Sequence, residues 1–252
     1  MKKIIVFDLD DTLAVTKSPI TDTMGELLVE LTKYYDICII TGGRYEQIIA
    51  NAIERLPLDA AAFTHFHLMP TAGTQYYRYD LAKNEWVRQY IEALPDEDKK
   101  RIIDALEKGA KSLGMWPANP AGPVIDDRES LIAFSALGQK AKPEDKYAWD
   151  PDRTKRKKLR EVVAAMIPDF EVNIDATTSL NILRPGIDKG YGMKKLLETT
   201  GLKESDLLFI GDQLEEGGND YPVKALGIDT IAVARWEDTA MVVRGMLGVA
   251  GG

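Results

Sequence analysis

Ile4-Ile5-Val6-Phe7-Asp8-Leu9-Asp10-Asp11-Thr12-Leu13 stands almost at the start of the chain. Its apolar, β-branched first half predicts a strand buried on both faces, as in a parallel sheet. That strand runs straight into two carboxylates spaced two apart, Asp8 and Asp10. At period two they project to one side, at the strand end where open α/β sheets bind ligands. Anions held that close repel unless a cation or proton intervenes, so the pair points to Mg²⁺ chemistry. The plainer reading is a turn with a helix cap, since Asp and Thr favour both.

Working outward, a second strand at 36–41 follows an amphipathic helix at about 21–34, capped by Thr21 or Asp22. This is a βαβ unit. A further helix at about 44–56 begins after Gly42-Gly43 and stops before Pro57. The pattern returns late, with a helix at 190–200, a strand at 207–210 before Gly211-Asp212, an apolar run at 230–233 and a helix at 238–247. Alternation at both ends of the chain predicts one α/β, Rossmann-like parallel sheet built from residues 1–83 and 188–252. The middle, 84–187, differs. Helices are expected at 85–93, 97–113 and 152–166, with alternating segments at 131–137, 171–174 and 179–183. Antiparallel strands backed by helices describe an inserted α+β domain.

Composition narrows the class. With 252 residues, 45% hydrophobic, the chain can bury one large core or two unequal ones. A net charge of -8 gives no global basic field for nucleic acid or a membrane surface. The basic run Arg153–Lys158 therefore reads as a solvated helix face. The single cysteine, Cys38, sits in an apolar run and reads as a small core residue. No stretch reaches the roughly 18 apolar residues of a membrane helix, and no signal peptide is visible, so a cytoplasmic location is expected. His65 and His67 alternate as a metal pair would, but strand histidines are mostly structural. Tyr76-Tyr77-Arg78-Tyr79 could stack bases, although cross-strand packing suits it better.

Four segments converge on such a sheet: Asp8 to Thr12, Thr41-Gly42-Gly43-Arg44, Asp188-Lys189-Gly190, and Gly211-Asp212 with Gly217-Gly218-Asn219-Asp220. A phosphate ester resists anionic attack, so a nucleophilic carboxylate needs cations around it. Asp8 can attack phosphorus, with Mg²⁺ held between it and Asp212. Lys189 adds a compact charge, Thr41 a hydroxyl, and the Gly42 and Gly43 amides anion-binding N–H groups. Asp10, its carboxylate held away from the metal, can protonate the leaving oxygen and then activate the next nucleophile.

The arrangement resembles the haloacid dehalogenase superfamily of phosphotransferases, with 84–187 standing where that superfamily carries a large α+β cap. Three stretches, Phe7–Leu13, Ser179–Lys189 and Gly211–Tyr221, are similar to its eukaryotic-type α-phosphomannomutases. The resemblance runs nearly end to end. It implies a metal site drawn from Asp8, Asp10, Asp212, Asn219 and Asp220. It further implies substrate contacts from Gly42, Gly43, Arg44 and Lys17, and from Arg128, Ser135, Ser179 and Asn181 in the cap. Departures are informative. Gln139 and Ala121 stand where the mutases hold a distal phosphate with arginines, and Lys17 replaces another. Each lost bidentate contact costs on the order of 1.5–3 kcal/mol. Asp11 sits where glycine is usual, a change some phosphatases share. The expected activity is a phosphatase for small phosphorylated metabolites such as sugar phosphates. The alternative is a mutase interconverting hexose 1- and 6-phosphates, and a third reading is a non-catalytic sugar-phosphate binder. The expected partner is a small phosphorylated substrate, and an apolar cap face would permit a homodimer.

Overall fold

The computed structural model describes residues 2–57, 59–175 and 177–251. In chain order, β1 (Ile4–Phe7), α1 (Asp22–Leu31), β2 (Asp36–Ile40), α2 (Tyr45–Asn51) and β3 (Phe66–Met69) lead to the hairpin β4 (Gln75–Asp80) and β5 (Glu85–Ile91). Then come α3 (Asp96–Ser112), β6 (Ile125–Asp127), β7 (Ile132–Ser135), α4 (Pro143–Trp149), α5 (Thr154–Met166), β8 (Glu171–Asp175) and β9 (Ser179–Leu183). The chain closes with α6 (Lys189–Thr200), β10 (Leu207–Gly211), α7 (Tyr221–Ala225), β11 (Asp229–Ala232) and α8 (Trp236–Ala250). Two compact units result, Met1–Ile91 with Ile187–Gly252, and Glu92–Gly186.

The first unit is a seven-stranded sheet ordered β11-β10-β1-β2-β3-β4-β5. β11 through β3 pair in parallel, and the β4–β5 hairpin adds two antiparallel strands. β1 lies inside the sheet, and its alternate residues feed both layers. Ile5 and Phe7 pack with α1, α2 and α8, while Ile4 and Val6 pack with α6 and α7. All four are fully buried or nearly so, which explains why the strand reads as a continuous apolar run. Burying each such side chain contributes roughly 1.5–3 kcal/mol. Thr21 caps α1 by accepting from the Met24 amide at 3.2 Å, as the sequence predicts. No described helix is long and apolar enough to cross a membrane.

Residues 85–91 are a strand, not the expected helix. Asp80 Oδ1 accepts from the amides of Ala82 (3.0 Å) and Lys83 (3.1 Å), an Asx turn that folds β5 back on β4. The aromatic residues then pay off across strands, as Tyr76 meets Tyr90, and Tyr79 meets Trp86. β5 therefore belongs to the first unit, and the second begins at Glu92, not at 84. The helix expected over 44–56 is also divided. Ala52 leaves helical geometry after α2, and a single 3-10 turn follows at Ile53–Arg55.

The second unit is an antiparallel sheet ordered β6-β7-β9-β8, backed by α3 and α5. Ile132, Phe134, Leu180, Ile182 and Val172 face the helices. Arg156 departs from the expected solvated face of the basic run. It is buried against Asp150, whose Oδ2 accepts from Arg156 Nε at 2.8 Å and from the Arg156 amide at 3.0 Å. Burial pushes the Asp150 carboxyl up, but Arg156 and the amides of Arg156 and Lys155 outweigh it and hold the group below its ordinary value. A carboxylate so lowered stabilises fully above its unfolded-chain pKa, and that stability is lost as pH falls through the folded one. Asp150→Ala takes the carboxylate from a buried guanidinium, which keeps its bond to the Asp150 main-chain carbonyl, and is expected to cost about 3–5 kcal/mol. Thermal unfolding followed by circular dichroism checks this, with the penalty shrinking in acid.

Candidate active site

The strand register assembles the site. β1, β2 and β10 end at Phe7, Ile40 and Gly211, with Phe7 opposite both Ile39 and Ile210. The next residue in each case is Asp8, Thr41 and Asp212. Three side chains from distant parts of the sequence thus emerge at neighbouring carboxyl ends. Lys189 arrives from the first turn of α6, whose start is fixed by Asp188 accepting from the Tyr191 amide at 2.8 Å.

Lys189 Nζ lies 2.7 Å from Asp8 Oδ1 and 2.6 Å from Asp220 Oδ1, with all three residues buried. Asp220 is held by the loop after β10. Its Oδ2 accepts from the Gln213 amide (3.0 Å), and its own amide donates to the Gln213 carbonyl (3.1 Å). Gly211 is required beneath it, because a Cβ there would overlap Asp220 Oδ2. Asp212 accepts at 3.5 Å from Thr12 Oγ1 and at 3.4 Å from Gln213 Nε2.

Oxygen atoms of Asp8, Asp212 and Asp220 lie within 4.8 Å of one another, a group that could hold a metal ion. One ammonium does not balance three carboxylates. Burial pushes the Asp8 carboxyl well above its ordinary range; Lys189 pulls it down, but Asp220 and Asp212 push it up again. Asp212 is raised by burial and by Asp220 against the pull of Lys189. Lys189, which burial alone would lower, is raised by Asp8 and Asp220 and stays charged. An all-oxygen set short of positive charge suits a hard divalent cation.

Two residues expected around the metal lie outside this group. Asn219 is exposed. The Asp10 carboxylate turns away because the chain stops being extended after Phe7, and the amides of Leu13 and Ala14 fold back onto the Leu9 carbonyl. Asp10 Oδ1 instead accepts from the Lys17 amide at 2.6 Å, and both its oxygens face Gln47 Nε2 at 3.1 and 3.3 Å. Lys17 acts here through its main chain, in a left-handed conformation (φ 57°), while its side chain is exposed.

Thr41 is buried, and its Oγ1 accepts from the Gly43 amide at 3.1 Å. That amide, expected to bind an anion, is therefore directed at Thr41, whose hydroxyl hydrogen can still be donated. Gly42 and Arg44 are half-buried at the entrance to α2. His67 is also accounted for without a metal. Its Nδ1 meets Tyr76 Oη at 2.7 Å, and its Nε2 meets Arg78.

In the second unit, Ser135 pairs with Ser179 and Ala133 with Asn181 across β7 and β9, on the face opposite the helices. Ser135, Ser179 and Asn181 are buried, and Asn181 Oδ1 has no hydrogen-bond partner. Arg128 Nε donates to Asp126 Oδ2 at 2.7 Å. The register places Asp126 beside Ala133, so this pair shares the strand face of Ser135 and Asn181. Thr12, Gln47, Gln213 and Asp126 carry no role of their own in the sequence reading; Thr12 and Gln213 lie inside the quoted motif stretches, whereas Gln47 and Asp126 lie outside them.

A model of the haloacid dehalogenase-like hydrolases matches residues 5–222. The chain belongs to this family. It is thus an enzyme of the haloacid dehalogenase type, with a mixed α/β core and an inserted second unit. A phosphomannomutase of Encephalitozoon cuniculi is 24% identical over 249 residues, covering 94% of this chain and 91% of that protein. Among solved structures, the IMP-bound IMP-nucleotidase of Plasmodium falciparum aligns with TM-score 0.68 at 16% identity, covering 98% of this chain and 67% of the other. A haloacid dehalogenase-like hydrolase from Bacteroides thetaiotaomicron aligns with TM-score 0.65 at 16% identity, covering 98% and 100%.

Proposed function

We propose that this haloacid dehalogenase-type enzyme is a Mg²⁺-dependent phosphatase for small phosphorylated metabolites, sugar phosphates foremost. The observation that carries the reading is the buried Asp8–Lys189–Asp220 bridge with Asp212 beside it. Asp8 is the nucleophile. Its carboxylate oxygen forms a bond to phosphorus as the P–O bond to the leaving alcohol breaks, and Asp10 gives that oxygen its proton. Lys189 and the Thr41 hydroxyl hold the phosphoryl oxygens. Mg²⁺, held by Asp8, Asp212 and Asp220, supplies Lewis-acid stabilisation when bound. Asp10 then takes a proton from water as the water oxygen bonds to phosphorus and the bond from phosphorus to Asp8 breaks, which returns Asp8 as a carboxylate. The product is inorganic phosphate.

Hydrolysis is preferred to mutase chemistry for two reasons in the second unit. A neutral Gln139 stands where the mutases carry an arginine, and Arg128 has its charge met by Asp126. Both weaken the hold on a second phosphate. Phosphomannomutase is the second reading, favoured by the nearly full-length match to such enzymes. On either reading Ser135, Ser179 and Asn181 are substrate contacts, Asn181 Oδ1 being a buried acceptor suited to a sugar hydroxyl. A paired assay in Mg²⁺ decides: phosphate release from a sugar-phosphate panel, against interconversion of hexose 1- and 6-phosphates with a bisphosphate activator. Release without interconversion, abolished by a chelator, is expected. Efficient interconversion with little release would assign the mutase.

A further inference from the structure

We infer that Gln47 is a positioning residue that aims the Asp10 carboxylate for proton transfer to the leaving group. The inference rests on the proposed phosphoryl transfer from substrate to Asp8. Asp10 needs an external hold, because it sits where the chain has left β1 and entered a turn, so the strand no longer fixes its direction. The Lys17 amide anchors Oδ1 at 2.6 Å, a bond that by itself sets one oxygen and not the carboxylate plane. Gln47 Nε2, at 3.3 Å from Oδ1 and 3.1 Å from Oδ2, straddles both oxygens and so opposes rotation of that plane. The amide nitrogen of Gln47 donates to either oxygen that is not offering a proton, so the contact holds both while Asp10 carries its proton and after it has given the proton up.

The scaffold is built to permit this contact. Gln47 projects from α2, and its path runs beside Gly43, where a Cβ would overlap the Gln47 amide oxygen. Glycine at 43 therefore serves Gln47 as well as the turn after β2. A proton donor misaimed by an ångström loses much of its effect, and general acid catalysis contributes typically ~10²–10⁴-fold.

The leaving group separates this role from mere packing. In the first step the bond from phosphorus to the leaving oxygen breaks. An alkoxide leaving a sugar phosphate needs the Asp10 proton, whereas 4-nitrophenolate leaves unprotonated. The parameter kcat/KM reports this step, while the later water attack affects kcat for both substrates alike. Gln47→Met keeps length without a donor, and Gln47→Glu keeps shape but opposes one carboxylate with another. Both are expected to lower kcat/KM for glucose 6-phosphate by about 10- to 100-fold, and for 4-nitrophenyl phosphate by less than about 3-fold. Asp10→Asn should show the same selectivity more strongly. Gln47→Asn, which keeps the amide but withdraws it from Asp10 by one methylene, gives a second variant should either of the others fold poorly. Equal losses on both substrates, or none on either, would overturn the assignment. Turnover that survives Asp8→Asn, or wild-type silence on both substrates, would instead remove the phosphotransfer reading and this inference with it.

Discussion

Asp8→Asn is expected to abolish phosphate release from every substrate, by at least about 10³-fold, while leaving the protein no less stable. The asparagine keeps the size and hydrogen-bonding reach of the side chain but cannot form an acyl phosphate. The stability half of the expectation follows from charge. Asp8 is buried beside two other carboxylates and one ammonium, and it is held well above its ordinary pKa, so its ionised form is a burden on the folded state. Neutralising it relieves that burden, although a contact to Lys189 is weakened. Paired measurements of turnover and unfolding midpoint check this. A midpoint that drops sharply with activity would mean that Asp8 is a structural ion-pair member.

Lys189→Met has the opposite signature, with both quantities falling. The ammonium touches Asp8 and Asp220 at 2.7 and 2.6 Å, and its removal leaves buried carboxylates without their cation. Breaking a buried pair from one side costs about 3–5 kcal/mol. On the proposed mechanism the same charge meets the phosphoryl oxygens, and its loss is expected to cost roughly 10²–10³-fold in rate. The pH dependence has a definite sign. Asp8, already raised by burial, loses the group that pulls it down, so the folded variant holds a proton that the unfolded chain releases. Its stability therefore rises as pH falls through the raised pKa, and the deficit against the parent protein is largest at alkaline pH. Thermal unfolding across a pH series reads this directly. A deficit independent of pH would show that Lys189 acts by packing alone.

Much of this organisation is legible in the sequence, for identifiable reasons. β1 is buried on both faces and has no room for polar residues, so its apolar run and the abrupt appearance of Asp8 mark a strand end. Lys189 and Asp212 stand at element boundaries, where capping and turn residues announce themselves. β5 is not legible because Trp86, Val87, Tyr90 and Ile91 fit a helical spacing as well as a strand pairing, and the Asp80 turn that decides between them is a matter of hydrogen bonding. Gln47 carries no signal at all, since a glutamine on a short helix looks like any solvent-facing residue. Its importance comes from a contact 37 residues away. The Gly43 amide reads as an anion donor because composition does not reveal that Thr41 claims it.

The order of the sheet also bears on how the chain is made. β1 pairs on one side with β2, which emerges soon after it, but on the other with β10, and Lys2 reaches Ser205 across a separation of 203 residues. At a ribosomal rate of about 5–20 residues per second, one edge of a wholly apolar strand stays open for roughly 10–40 s. An exposed edge of that kind invites pairing with other nascent chains, and lysines beside it act as gatekeepers. Lys2 and Lys3 precede the strand directly and end paired with Asp229 and Asp206, residues of the late-arriving segment. The same charges that shield the young chain from its neighbours thus close the sheet once translation has delivered β10 and β11.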